Sequence, residues 1–229
     1  MQSQPILFII PGACSLGSQI TLEYLEIPYQ ISITTKEIRS SEAFHAVNPI
    51  GRVGALKDGN IVVAENTAIL LYLTDKYDIN GTLAHKNDLA LRAKVYQWLS
   101  YSAATLHVSL SQALFAERLI ASECVDQFKQ DANKRSWEVL SYINSHLETN
   151  KYFIGDNPSI VDFQSYGILR WTKSGASKLG ITDLGREFAN ISRFFADVER
   201  LPKLQNALAI EQQQADNLVD SKFAGYFTL

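Results

Sequence analysis

Within the first eighty residues the apolar pattern switches repeatedly between the two-residue period of a strand and the 3.6-residue period of a helix. That alternation restricts the chain to a mixed α/β beginning. The run Pro5-Ile6-Leu7-Phe8-Ile9-Ile10 suits a strand buried on both faces. After the breaker Pro11-Gly12, residues Leu16, Ile20, Tyr24 and Ile27 recur at helical spacing. Tyr29, Ile31 and Ile33 then alternate with Gln30 and Ser32, which predicts a second strand lying parallel to the first across a right-handed crossover. Val53-Gly54-Ala55-Leu56 and Ile61-Val62-Val63 flank Lys57-Asp58-Gly59-Asn60, where Asp-Gly supplies the positive φ angles of a tight hairpin. Ile69, Leu73 and Tyr77 mark the helix that follows. The order βαβ then ββα is the thioredoxin-like arrangement, expected to occupy residues 1–80 as one domain.

The polar stretches Asn80-Gly81-Thr82 and His85-Lys86-Asn87-Asp88 read as a linker, and everything from 88 to 229 reads as an all-helical second domain. A chain of 229 residues is long enough for two such cores without disulfides or metal. Leu91, Val95, Leu99, Leu106, Leu110 and Leu114 predict one long helix, and Val125, Phe128, Ala132, Leu140, Ile143 and Leu147 a second. Ser159-Ile160-Val161-Asp162 is a capping box that opens a third. Shorter helices are expected over Arg186–Val198 and Pro202–Ile210, leaving Asp216–Leu229 as a tail.

Composition narrows the function classes. Apolar residues make up 46% and charged residues 20%, the balance of an ordinary globular protein. A net charge of -3 and the absence of a Lys/Arg stripe with interleaved aromatics give no reason to expect nucleic acid. The apolar stretch Ile6–Ile10 is too short for a signal peptide or a membrane span, so a cytoplasmic chain without a membrane partner is expected. Cys14 and Cys124 are not spaced as a pair, and His45, His85, His107 and His146 are scattered singly. Neither pattern asks for a disulfide or a metal.

Cys14 falls where the first strand gives way to a helix, and there the macrodipole and unpaired N–H groups stabilise a thiolate. The other reading is a small buried hydrophobe. Ser15 is either a hydrogen-bonding neighbour of the sulfur or simply the helix N-cap. Glu65 and Asn66 begin another helix, where N–H groups and the Asn side chain are able to hold a carboxylate while Glu65 accepts from an ammonium; an ordinary acid and cap is the alternative. His107 sits in a row with Ser100, Ala104 and Ser111, either facing a cleft or satisfied between helices. Three other chemistries fail on the residues: no lysine follows Gly17 as a phosphate loop needs, Leu16 replaces the second glycine of a nucleophile elbow, and Gly17 stands where a resolving cysteine would.

Several stretches together resemble the glutathione transferases: Pro11-Gly12-Ala13-Cys14-Ser15-Leu16, Asn48-Pro49-Ile50-Gly51-Arg52-Val53, Ala64-Glu65-Asn66-Thr67-Ala68-Ile69, Gln97-Trp98-Leu99 followed by His107, and the Ser159/Asp162 box. The first looks like the bacterial beta class. The resemblance implies a thioredoxin-like domain that binds glutathione as co-substrate, a helical domain that binds a small electrophilic or disulfide substrate, and a homodimer. It implies catalytic roles for Cys14, Ser15 and His107, and glutathione contacts from Cys14, Lys36, Val53, Glu65 and Asn66; Lys36 is otherwise an ordinary solvated lysine. Trp171, Phe223 and Tyr226 are candidate lining residues for the electrophile, with core packing the alternative for Trp171. The implied reaction is addition of the glutathione thiolate to an electrophile. Glutathione-dependent disulfide exchange or peroxide reduction through Cys14, and a non-catalytic binding protein of the same fold, are the alternatives. Two positions depart from the pattern. Val108 replaces the basic residue that often follows the histidine in the beta class, and Gly54 replaces the proline that family members carry in cis before the third strand. A trans Val53–Gly54 peptide is therefore expected, with weaker alignment of the Val53 backbone toward glutathione.

Overall fold

The computed structural model describes residues 4–219. They gather into two compact units, the first combining the segment up to Lys86 with the segment from Glu199 onward, the second running from Asn87 to Val198.

In the first unit the elements follow the order β1 (Ile6–Ile9), α1 (Leu16–Tyr24), β2 (Gln30–Ile33), α2 (Lys36–Arg39), α3 (Glu42–Val47), β3 (Ala55–Asp58), β4 (Ile61–Ala64) and α4 (Asn66–Tyr77). The four strands form one sheet ordered β2-β1-β3-β4, with β1 and β2 parallel and the β3–β4 hairpin antiparallel to β1. This is the thioredoxin-like topology that the alternating periods predict. Leu7 lies between Ile31 and Leu56 in the register, so one apolar row crosses three strands. Because side chains alternate along a strand, Leu7 and Ile9 enter a core with Leu22, Ile69 and Leu73, while Phe8 enters another with Phe44, Val47 and Ala55.

That second core depends on α2 and α3, which the hydrophobic pattern between Thr34 and Arg52 does not reveal. Both are short, but each carries a side-chain cap: Thr35 Oγ1 accepts from the Ile38 N–H at 3.3 Å and Ser41 Oγ from the Phe44 N–H at 3.2 Å. Phe44 meets Phe8 edge to face at 5.6 Å. At the far end of the hairpin, the Asp58 carboxylate accepts from Tyr72 at 2.9 Å, Tyr77 at 2.8 Å and Lys76. Burial alone would raise its pKa, but these three donors outweigh it and hold the carboxyl below its ordinary value.

The second unit contains α5 (Leu89–Tyr101), a π turn (Ser102–Leu106), α6 (His107–Leu114), α7 (Val125–Thr149), α8 (Ile160–Leu169), α9 (Trp171–Ser174), α10 (Leu184–Glu187) and α11 (Ala189–Glu199). Asp88 caps α5 by accepting from the Leu91 N–H at 2.9 Å. The long helix expected over residues 91–114 is interrupted by the π turn, which packs on α8 through the Ser102 and Ser165 hydroxyls, 2.8 Å apart. Every residue of α8 is buried, and its capping box forms as the Ser159/Asp162 spacing predicts. One Asp162 oxygen accepts from the Phe153 N–H and the other from both the N–H and the hydroxyl of Ser159, all at 2.8 Å.

The last helix, α12 (Pro202–Val219), differs from expectation in length and in place. It continues past Ile210, since no glycine or proline interrupts residues 203–219. It belongs to the first unit, packing on α1, rather than to the helical unit into which its pattern placed it. Gln19 Nε2 donates to the Ala207 carbonyl at 3.2 Å, Lys203 pairs with Glu26 at 2.6 Å, and Leu204 is fully buried. Among the described residues no helix is long and apolar enough to cross a membrane.

Candidate functional site

The chain reverses after β1 in a turn that uses the positive φ of Gly12, +83°, and then delivers Cys14 to the head of α1. The Gly12 N–H donates to Glu211 Oε1 of α12 at 3.0 Å, so the last helix holds this turn. Cys14 is half-buried, with its sulfur 3.2 Å from the Asn66 side-chain nitrogen, which donates to it. Asn66 is the first residue of α4, so this contact joins the N-terminal ends of two helices. Ser18, in the first turn of α1, donates from its hydroxyl to Asn66 Oδ1 at 3.2 Å. A thiolate here has an amide donor and the positive end of α1 beside it.

Ser15 is buried and makes no capping hydrogen bond, so its backbone rather than its side chain starts α1. Its Oγ has no hydrogen-bond partner among the described residues. Ser15 does occupy the N-cap position of α1, without a side-chain capping bond.

Glu65 precedes α4 with a φ of +73°, a conformation that a residue with a side chain adopts only where its surroundings impose it. Its N–H donates to the Gly54 carbonyl at 3.2 Å, tying the head of α4 to the chain entering β3. The Val53–Gly54 peptide is cis, which corrects the expectation of a trans bond. Gly54 is held by two residues at the head of α4. Besides the Glu65 hydrogen bond, the Gly54 α-carbon lies against Asn66, and a Cβ built on it would come within 2.4 Å of Asn66 Oδ1. The Asn66 carboxamide therefore touches Cys14, Ser18 and position 54 at once.

Lys36 opens the one-turn helix α2 with its side chain exposed. His107 belongs to the second unit and follows directly on the π turn. Its Nδ1 lies 3.5 Å from Ser111 Oγ, and its ring is 5.2 Å from that of Trp171, which in turn meets Phe115 at 6.1 Å. His107 and Ser111 stay paired on α6, while the π turn separates them from Ser100 on α5, because an added residue in one turn rotates the faces on either side of it. Phe223 and Tyr226 lie outside the described residues. Among the described residues no group of three or more His, Cys, Asp or Glu side chains is arranged to hold a metal ion.

Two participants, and one pairing, escape a reading by sequence. Ser18 and Glu211 gave no signal, since one is a small helix residue and the other an acid in a Gln-rich helix 199 positions from its partner. Gly54 was visible as a departure, but its pairing with Asn66 was not.

Two family models match the chain: the N-terminal domain of glutathione S-transferases over residues 18–81 and the C-terminal domain over residues 108–202. The glutathione S-transferase GstA of Escherichia coli O157:H7 is 30% identical over 209 residues, covering 90% of this chain and 98% of that one. A solved glutathione S-transferase from Xylella fastidiosa superposes with a TM-score of 0.81 at 28% identity, covering 91% of this chain and 99% of the other. A sphingomonad glutathione S-transferase complexed with glutathione superposes with a TM-score of 0.77 at 27% identity, over 90% and 98% of the two chains.

Proposed function

The chain belongs to the glutathione S-transferase family, and from that premise we propose that it binds glutathione in the thioredoxin-like unit and adds its thiolate to a small electrophile. The observation that carries this reading is the meeting of Cys14, at the head of α1, with Asn66, at the head of α4. Two helix N-termini directed at one place favour anions, and glutathione brings two carboxylates and an ionisable thiol. In this reading Glu65 receives the γ-glutamyl ammonium, Asn66 and the N–H groups of α4 its carboxylate, the Val53 backbone the cysteinyl amide, and Lys36 the glycyl carboxylate. Cys14, in its thiolate form, takes the proton of the glutathione S–H; the freed glutathione sulfur then forms the bond to carbon as the leaving group departs with its electron pair. Ser15 and His107 are proposed to orient or polarise the thiol. The helical unit is proposed to hold the electrophile, with Trp171 among its lining residues.

The finer reading is a beta-class-like enzyme, supported by the cysteine at position 14 and its placement, acting as a cytoplasmic homodimer. Calorimetric titration with reduced glutathione tests the binding, and halide release from a nitro-activated aryl chloride tests the transfer. Cys14→Ala is expected to keep glutathione affinity within about threefold while lowering kcat/KM by about a hundredfold, the usual scale for removing one proton-transfer group. A parent protein that binds no glutathione while remaining folded would overturn the proposal.

A further inference from the structure

We infer that Asn66 is a positioning residue for the Cys14 sulfur, oriented by Ser18 and accommodated because position 54 carries no side chain. A carboxamide presents an acceptor on one side and donors on the other, and its neighbours decide which way it faces. The fully buried Ser18 hydroxyl donates to Oδ1 at 3.2 Å. That leaves Nδ2 on the Cys14 side, where it donates to the sulfur at 3.2 Å. An N–H donor bonds a thiolate more strongly than a thiol, so this arrangement favours the ionised form.

The same carboxamide occupies the space in front of position 54. A Cβ there would lie 2.4 Å from Oδ1, closer than any real contact of that kind, so a side chain at 54 and this pose of Asn66 exclude one another. Gly54 and Asn66 thus form a matched pair: the residue that departs from the family pattern makes room for the group that faces the sulfur.

The inference deepens the proposed function by naming what sets the protonation of the Cys14 thiol, yet it stands or falls without glutathione. In the full chain carrying Cys124→Ser, the rate of Cys14 alkylation by iodoacetamide is followed against pH; the thiolate forms the S–C bond and iodide leaves with its electron pair. Asn66→Ala is expected to raise the midpoint of that profile by about one pH unit, slowing alkylation about tenfold below the midpoint. Ser18→Ala moves it upward by less. Gly54→Ala moves it as far as Asn66→Ala, and the double variant moves it no further, because both changes remove one contact. Asn66→Asp keeps the shape, replaces the donor by a carboxylate, and raises the midpoint most. A midpoint unchanged in both the Asn66→Ala and Asn66→Asp proteins, each with the parent's circular dichroism spectrum, would overturn the inference. Glutathione titration of the same parent reports separately on the proposed function, so the failure of one is not read as the failure of the other.

Discussion

Asp162 exposes the helical unit to a single change. Its two oxygens satisfy three donors at the start of a helix with no solvated face. Removing them by Asp162→Ala leaves the Phe153 and Ser159 N–H groups buried without an acceptor, and a loss of about 3 kcal/mol in unfolding free energy is expected from urea denaturation. Burial pushes this carboxyl up from 3.8 to about 6, against the pull of its donors. A carboxyl whose folded pKa stands above its unfolded one binds its proton more tightly when folded. Its contribution to stability is therefore full below about pH 4 and is lost as pH rises through about 6. The stability advantage of the parent over Asp162→Asn should shrink across that range, and a constant difference would show that Asp162 does not titrate there. The capping box was legible because its partners are three positions apart; the Phe153 donor, nine positions away, was not. The same contrast separates Cys14, legible from its place after a strand, from the Asn66 contact 52 positions on.

At the scale of elements, legibility followed length and period. α1, α4 and α7 show long apolar periods, and the structure has them. α2 and α3 are too short for a period to emerge, although each has a Ser or Thr cap that sequence does contain. Their importance lies in what α3 covers. Phe44 is fully buried against Phe8 on the face of the sheet that α1 and α4 do not cover. Phe44→Ala is expected to cost roughly 3–5 kcal/mol, read as a lower urea midpoint with an unchanged slope. The π turn was invisible because a single added residue leaves the average spacing of leucines almost unaltered. Glu211 shows how α12 reaches the site: Glu211→Ala removes the acceptor of the Gly12 N–H, and faster hydrogen exchange at that amide is the expected readout.

For the whole molecule, the division into units is not a division of the sequence into two runs. α12 returns to the thioredoxin-like unit after the helical unit is complete, so a fragment ending at residue 86 lacks the partner of α1. Such a fragment is expected to be less stable by at least about 2 kcal/mol than one in which residues 199–229 are rejoined through a flexible linker, since burial of Leu204 alone is worth that much. Comparing the two by thermal melting tests it. The sequence by itself determined the strands and the longer helices, the topology of the sheet, the capping box, and the place of the cysteine, because all of these rest on periods and spacings along the chain. Tertiary structure alone decided which unit α12 joins, the cis geometry at Val53–Gly54, and the pairing of Gly54 with Asn66 in front of the sulfur. Those depend on surfaces brought together from distant positions, where the space left by one residue determines what its neighbour is able to do.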